Sequence, residues 1–195
     1  MITLILETAG RHAQIIMAKG STILACRESD GSSGLSTRIM AEIEQLLKDN
    51  RLAFKDLEHI AAGCGPGSYT GLRVGAAVAV SLSFGLNIPL SGFSSLSAFA
   101  PPHAGKHMAL MDARSGGIYC QQFDENSRPQ EDAALLSTEE VQSRLAEGLP
   151  VFTPDAELLN KKLNYAGLRQ TTPNPEKLAS LAQNHGYPFK LAYLR

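Results

Sequence analysis

The segment Gly63-Cys64-Gly65-Pro66-Gly67-Ser68-Tyr69-Thr70-Gly71-Leu72-Arg73-Val74-Gly75 stands between the apolar run Ile60-Ala61-Ala62 and a long apolar stretch. Glycines crowded at such a junction imply a tight strand-to-helix turn. From Thr70 to Gly85 the only charge is Arg73, so the helix is apolar all round and must be covered on both sides. Gly71, Gly75, Ala79 and Ser83 recur every four positions. Such a flat stripe lets a second helix approach to the near end of the usual axis separation of about 8–10 Å. Val74, Val78 and Leu82, with Val80 and Leu86 nearby, suit packing on the chain's own sheet. The small stripe is therefore expected to face a second helix or subunit; a wholly internal core helix is the competing reading. A membrane span is excluded by Ser81, Ser83 and Asn87 and by a length below the roughly 20 apolar residues a bilayer needs.

The turn lacks the lysine of a Walker loop, and Thr70 stands where a dinucleotide fingerprint has its third glycine. Ser68 is flanked by Pro66 and Thr70 where a nucleophile elbow has glycines. Ser68 and Thr70 read most simply as helix-capping hydroxyls.

Around this turn the elements fall into two rounds. The β-rich runs Thr3–Glu7, Ala13–Ala18 and Thr22–Arg27 predict a meander, and Ile39, Met40, Ile43, Leu46 and Leu47 form one helical face behind Ser36 and Thr37. A strand at His59–Gly63, the apolar helix and a short strand near Pro89–Phe93 complete the first round. The second begins with Met108–Asp112, a turn at 113–117 and Ile118–Asp124, with a third strand through Ala133–Leu136. Ser137-Thr138-Glu139-Glu140 is a capping box opening a helix that stops at Gly148. Val151–Thr153 is a strand, and Asn174-Pro175 starts a last helix ending at Gly186. The expected architecture is α/β and actin-like (ribonuclease-H-like): two lobes, 1–100 and a shorter 101–195, each on a β-β-β-α-β-α pattern.

With 195 residues, 44% of them hydrophobic, such a core can be filled. Eighteen basic against nineteen acidic residues, net −1, argue against tight nucleic-acid binding by this chain alone. Cys26, Cys64 and Cys120 are odd in number and widely spaced, and Met1 leads directly into a strand without a presequence; a reducing cytoplasm is expected. Cys64 has no histidine near in sequence to activate it and reads as buried and inert.

The motifs resemble the bacterial TsaB (YeaZ) family, partners in making threonylcarbamoyladenosine beside the tRNA anticodon. They are the Gly65–Arg73 segment, Ile88-Pro89-Leu90 with Ser94-Ser95-Leu96, and Asp112-Ala113-Arg114 with Tyr119. The likeness is good from about Ser36 to Phe123 and departs from the family pattern at Glu7, Ala9, Leu35 and Ser115-Gly116-Gly117. It implies a noncatalytic scaffold that pairs with a TsaD-like catalytic subunit, works with a TsaE-like ATPase, meets tRNA only through the complex and forms a homodimer when alone. ATP would be used by the complex and no cofactor held by this chain. The interface would comprise Ile39, Met40, Ile43 and Leu46 on the first helix with Gly71, Arg73, Gly75, Ala79 and Ser83 on the second. A bulky charge at Gly75 is then expected to abolish association while leaving the fold.

The catalytic relative holds a metal through two histidines four apart. Ser95 and Phe99 occupy those places here, and phenylalanine has no donor atom. His103 and His107 share that spacing, but Pro101-Pro102 and Gly105 oppose a helix presenting both rings. A rival reading is an actin-like ATPase or small-molecule kinase. Glu7 would be its strand-end carboxylate, with Thr8, Gly65, Ser68, Asp112 and Arg114 around the phosphates. These six residues read as a vestigial nucleotide site. A peptidase reading finds no nucleophile with a base or metal pair.

Overall fold

The computed structural model describes residues 1–30, 34–101, 105–114, 116–183 and 188–194, with the side chain of Asp30 left aside. The chain divides into two compact units. Unit 1 comprises Met1–Ser95 with Pro175–Ala192, and unit 2 comprises Leu96–Asn174 with Tyr193–Arg195.

Unit 1 opens with the meander β1 (Ile2–Glu7), β2 (His12–Lys19) and β3 (Thr22–Asp30), then α1 (Leu35–Asp49), β4 (His59–Gly63), α2 (Tyr69–Leu86) and β5 (Leu90–Phe93). The sheet order is β3-β2-β1-β4-β5, antiparallel within the meander and parallel from β1 through β4 to β5. Period-two alternation assigns the faces. Leu4, Leu6, Ile15, Met17, Ile60 and Ala62 join Ile39, Ile43, Leu46, Leu47 and Ala79 in one core beneath α1 and α2. Thr3, Ile5 and Glu7 alternate to the other face. The last helix, α5 (Pro175–Ala182), packs against β1, β2, β3 and β5.

Unit 2 repeats the order. The meander β6 (His107–Asp112), β7 (Ile118–Phe123) and β8 (Ala134–Leu136) is followed by α3 (Thr138–Leu145), β9 (Val151–Thr153), α4 (Ala156–Leu163) and β10 (Leu168–Gln170). The sheet runs β10-β9-β6-β7-β8, so β6 holds the central place that β1 holds in unit 1. One core lies with α3 and α4, around Leu110, Ile118, Val141 and Leu159; another gathers Leu96, Phe99, Met111, Phe123 and Phe152.

The two-lobe expectation changes in two respects. A cut at residue 100 misses α5, which returns to unit 1 because its buried Leu178, Ala179 and Ala182 cover that sheet. The second lobe is reduced in element length and not in element number: α4 and β10 complete it but span only 8 and 3 residues. The expected helix end at Gly186 lies outside the described residues. At α1 the cap is Gly34, and Ser36 and Thr37 fall inside the first turn.

Candidate functional site

The glycine turn is pinned by unit 1's own backbone. Cys64 N–H donates to Phe93 O (2.8 Å), Ser95 N–H to Gly65 O (2.9 Å) and Ala192 N–H to Cys64 O (2.8 Å). Gly65 is in a left-handed conformation (φ 93°) that glycine adopts freely, and its N–H donates to Ser95 Oγ at 3.1 Å. Ser68 is the N-cap of α2, its Oγ accepting from Gly71 N–H at 3.3 Å. Thr70 lies inside the helix. Ser68 N–H donates to Ala9 O at 2.8 Å. Gly71 and Gly75 sit so close to the Thr8 carbonyl and hydroxyl that a Cβ at either would overlap them.

Glu7 closes β1 with 1% of its surface exposed. Its Oε1 accepts from Ala9 N–H at 2.7 Å, and Oε2 has no well-formed hydrogen bond. Gly63 provides the room for Oε2, since any Cβ there would collide with Glu7 and with Ser95 Oγ. Burial raises the Glu7 carboxyl from 4.5 to about 7, outweighing the opposing pull of the Ala9 N–H, the nearby Ser95 hydroxyl and the Thr8 N–H. The carboxylate faces the interior, and Thr8 and Ala9 fill the space over the start of α2. The rival nucleotide reading expects a strand-end carboxylate open to a ligand, and Glu7 is instead enclosed.

Asp112 and Arg114 belong to unit 2, and Glu7, Thr8, Gly65 and Ser68 to unit 1. Lys162 Nζ of α4 meets Asp112 Oδ1 at 3.0 Å and donates to Gly117 O at 3.1 Å. Asp112 Oδ2 accepts from Arg114 N–H (3.0 Å), and Asp155 Oδ2 accepts from Asp112 N–H (3.1 Å). Arg114 has φ 57° and an exposed side chain. The Asp112 carboxylate is thus engaged in holding its turn to α4. Among the described residues no group of three or more His, Cys, Asp or Glu is placed to hold a metal. His103 lies outside the described residues, and His107 begins β6, buried and stacked on Phe123 at 4.8 Å. Ser95 and Phe99 are both buried. Burial pushes the Cys64 thiol up and the Cys120 thiol to about 12, so both are held as thiols.

The interface expectation is largely inverted. Ile39, Ile43, Leu46 and Ala79 lie in the core of unit 1, and Gly71 and Gly75 are buried against Thr8. None of these six is available to a partner. The small stripe is needed because the end of β1 passes directly beneath α2, an approach no helical pattern displays. A bulky charge at Gly75 would accordingly break the fold rather than spare it. Ser83 is half-buried and donates its hydroxyl to Ile88 O at 2.7 Å. Met40 and Arg73 do reach the surface, and so do Tyr69 (59% exposed), Phe84 (88%) and Val80 (48%), the last of which was expected to pack on the chain's own sheet. Arg73 lies over the Tyr69 ring, 5.3 Å from its centroid, and donates to its hydroxyl at 3.1 Å. Ser36, Tyr69, Arg73, Val74, Ala77 and Val78 border an open cleft of about 370 Å³ between α1 and α2. The overlooked signal was the spacing of Arg73, Ala77, Val80 and Phe84, a second face of the same helix. α2 is apolar and long enough to cross a membrane by length and composition; its inner face is taken up by β4, β1 and β5.

The model of the TsaD family, tRNA N6-adenosine threonylcarbamoyltransferase, matches residues 29–180. Over 124 residues the chain is 34% identical to the tRNA threonylcarbamoyladenosine biosynthesis protein TsaB of Bacillus subtilis (strain 168), covering 61% of this chain and 53% of that one. The chain belongs to the TsaB (YeaZ) proteins of the TsaD family. TsaB of Escherichia coli (strain K12) is 32% identical over 119 residues, 56% of this chain and 52% of that one. The chain thus spans about half the length of these curated TsaB relatives. YeaZ from Pseudomonas aeruginosa has the same fold, with a TM-score of 0.76 at 23% identity over 93% of this chain and 90% of that one.

Proposed function

We propose that this chain is a noncatalytic, cytoplasmic partner subunit in threonylcarbamoyl modification of the adenosine next to the tRNA anticodon. In this reading it docks a TsaD-like catalytic subunit and works with a TsaE-like ATPase. It pairs with itself when alone and reaches tRNA only through the complex. The observation that carries the reading is the outer face of α2, where Phe84, Val80 and Tyr69 stand exposed, with Met40 exposed on α1. An exposed apolar patch on a folded surface marks an interaction site, and an aromatic anchor beside an arginine is the composition of a binding hot spot. Membership of a family whose curated relatives are named for threonylcarbamoyladenosine biosynthesis supplies the pathway. The interior orientation of Glu7 gives the ATPase and kinase reading no support.

Light scattering of the purified chain, alone and with a TsaD-like protein, tests this. The expected result is a homodimer that exchanges for a one-to-one complex, both abolished by Phe84→Glu. A wild-type monomer indifferent to the partner would overturn the reading.

A further inference from the structure

Glu7 sits where three pieces of unit 1 meet: the end of β1, the turn leaving β4, and Ser95 after β5. We propose that Glu7 is a proton-operated latch, whose neutral carboxyl clamps residues 7–9 to the Gly63–Ser68 turn and whose ionised form loosens the seat of α2.

The geometry carries each part. The side chain is buried, its Oε1 is committed to Ala9 N–H, and its Oε2 lies against Gly63 and Ser95 without a formed partner. Protonated, the carboxyl has a hydrogen to give to Ser95 Oγ, which itself accepts from Gly65 N–H. Ionised, it is an acceptor on both oxygens with 1% of its surface exposed, and a buried charge without a counter-charge is costly. The groups facing it cannot supply one. Gln14 stands opposite it in the β1–β2 ladder. The β4 end offers Gly63 and the Cys64 thiol, which burial and the Glu7 charge keep protonated. Arg73 of α2 points outward to Tyr69. Glu176 and Lys177 are the charged residues of α5, and the Glu7 shift is set by burial against the Ala9, Ser95 and Thr8 hydrogen bonds. What Glu7 holds is the support of α2: Thr8 and Ala9, the two residues after it, bear Gly71, Gly75 and Ser68.

The folded chain binds this proton more tightly than the unfolded chain, whose carboxyl titrates near 4.5. The stability attached to Glu7 is complete below that value, declines as the pH rises towards about 7, and is lost above it.

Carboxyl-carbon NMR on the wild-type chain comes first. A Glu7 midpoint near 7 is expected, and one near 4.5 would overturn the proposal. Amide exchange of Gly65–Leu72 follows at pH 5.5 and 8, corrected for intrinsic rates. Wild type is expected to lose protection at least tenfold at the higher pH and Glu7→Gln to keep it. Equal loss in both chains, or none in wild type, would overturn the latch. Both readouts use the isolated chain, so their failure is distinct from failure of the partner-binding reading.

Discussion

The central strands of the two sheets, β1 and β6, each end in an acid, and the two acids are handled in opposite ways. Glu7 is enclosed, unpaired with any cation, and pushed towards neutrality by burial. Asp112 is only half-buried, held by Lys162 of α4 and by the N–H of Arg114. One topological position therefore permits two electrostatic solutions. The additional methylene of glutamate and the absence of a side chain at Gly63 let the first acid fold inward. The lysine on α4 holds the second at its turn.

The first end breaks most completely from the helix side. Gly71→Val forces a branched side chain into the Thr8 carbonyl. It is expected to cost about 3 kcal/mol or more, read as a fall in the urea midpoint. Glu7→Gln depends on pH as the comparison demands: at pH 8 it is expected to stabilise the chain by up to about 3 kcal/mol, since wild type there must ionise a carboxyl raised from 4.5 to about 7. At pH 4.5 thermal melts of the two chains should nearly coincide. Asp112→Asn is expected to destabilise by about 1–2 kcal/mol, because it strands Lys162 beside a neutral amide. Melts at pH 7 that move in the same direction for Glu7→Gln and Asp112→Asn would dissolve the contrast. Smallest for the fold is Phe84→Glu, within about 0.5 kcal/mol of wild type, although light scattering should show association gone.

Much of this architecture was legible because its signals are local. The meander, the glycine turn, the Ser137 capping box and the Ser68 cap follow from alternation, punctuation and hydroxyl placement, and the structure has them at those residues. The elements missed, α4 and β10, are short, and β10 buries only Leu168, too little for a period to register. The site was less legible than the fold. Nothing in the spacing of Gly71 and Gly75 says whether a partner helix or the chain's own Thr8 will fill the notch. Only the path of β1 beneath α2 decides it, and that path assigns the exposed role to Val80 and Phe84. Glu7 reads as the strand-end carboxylate of a vestigial nucleotide site until Gly63 and Ser95 are seen around it.

Because α2 is seated through Gly71, Gly75 and Ala79, its outer positions 73, 77, 80 and 84 take little part in folding. If the outer face docks a partner as proposed, recognition and foldability are written on separate sides of one helix. The outer side can be rewritten to retarget the protein to a different binding mate while the hidden side keeps the scaffold intact.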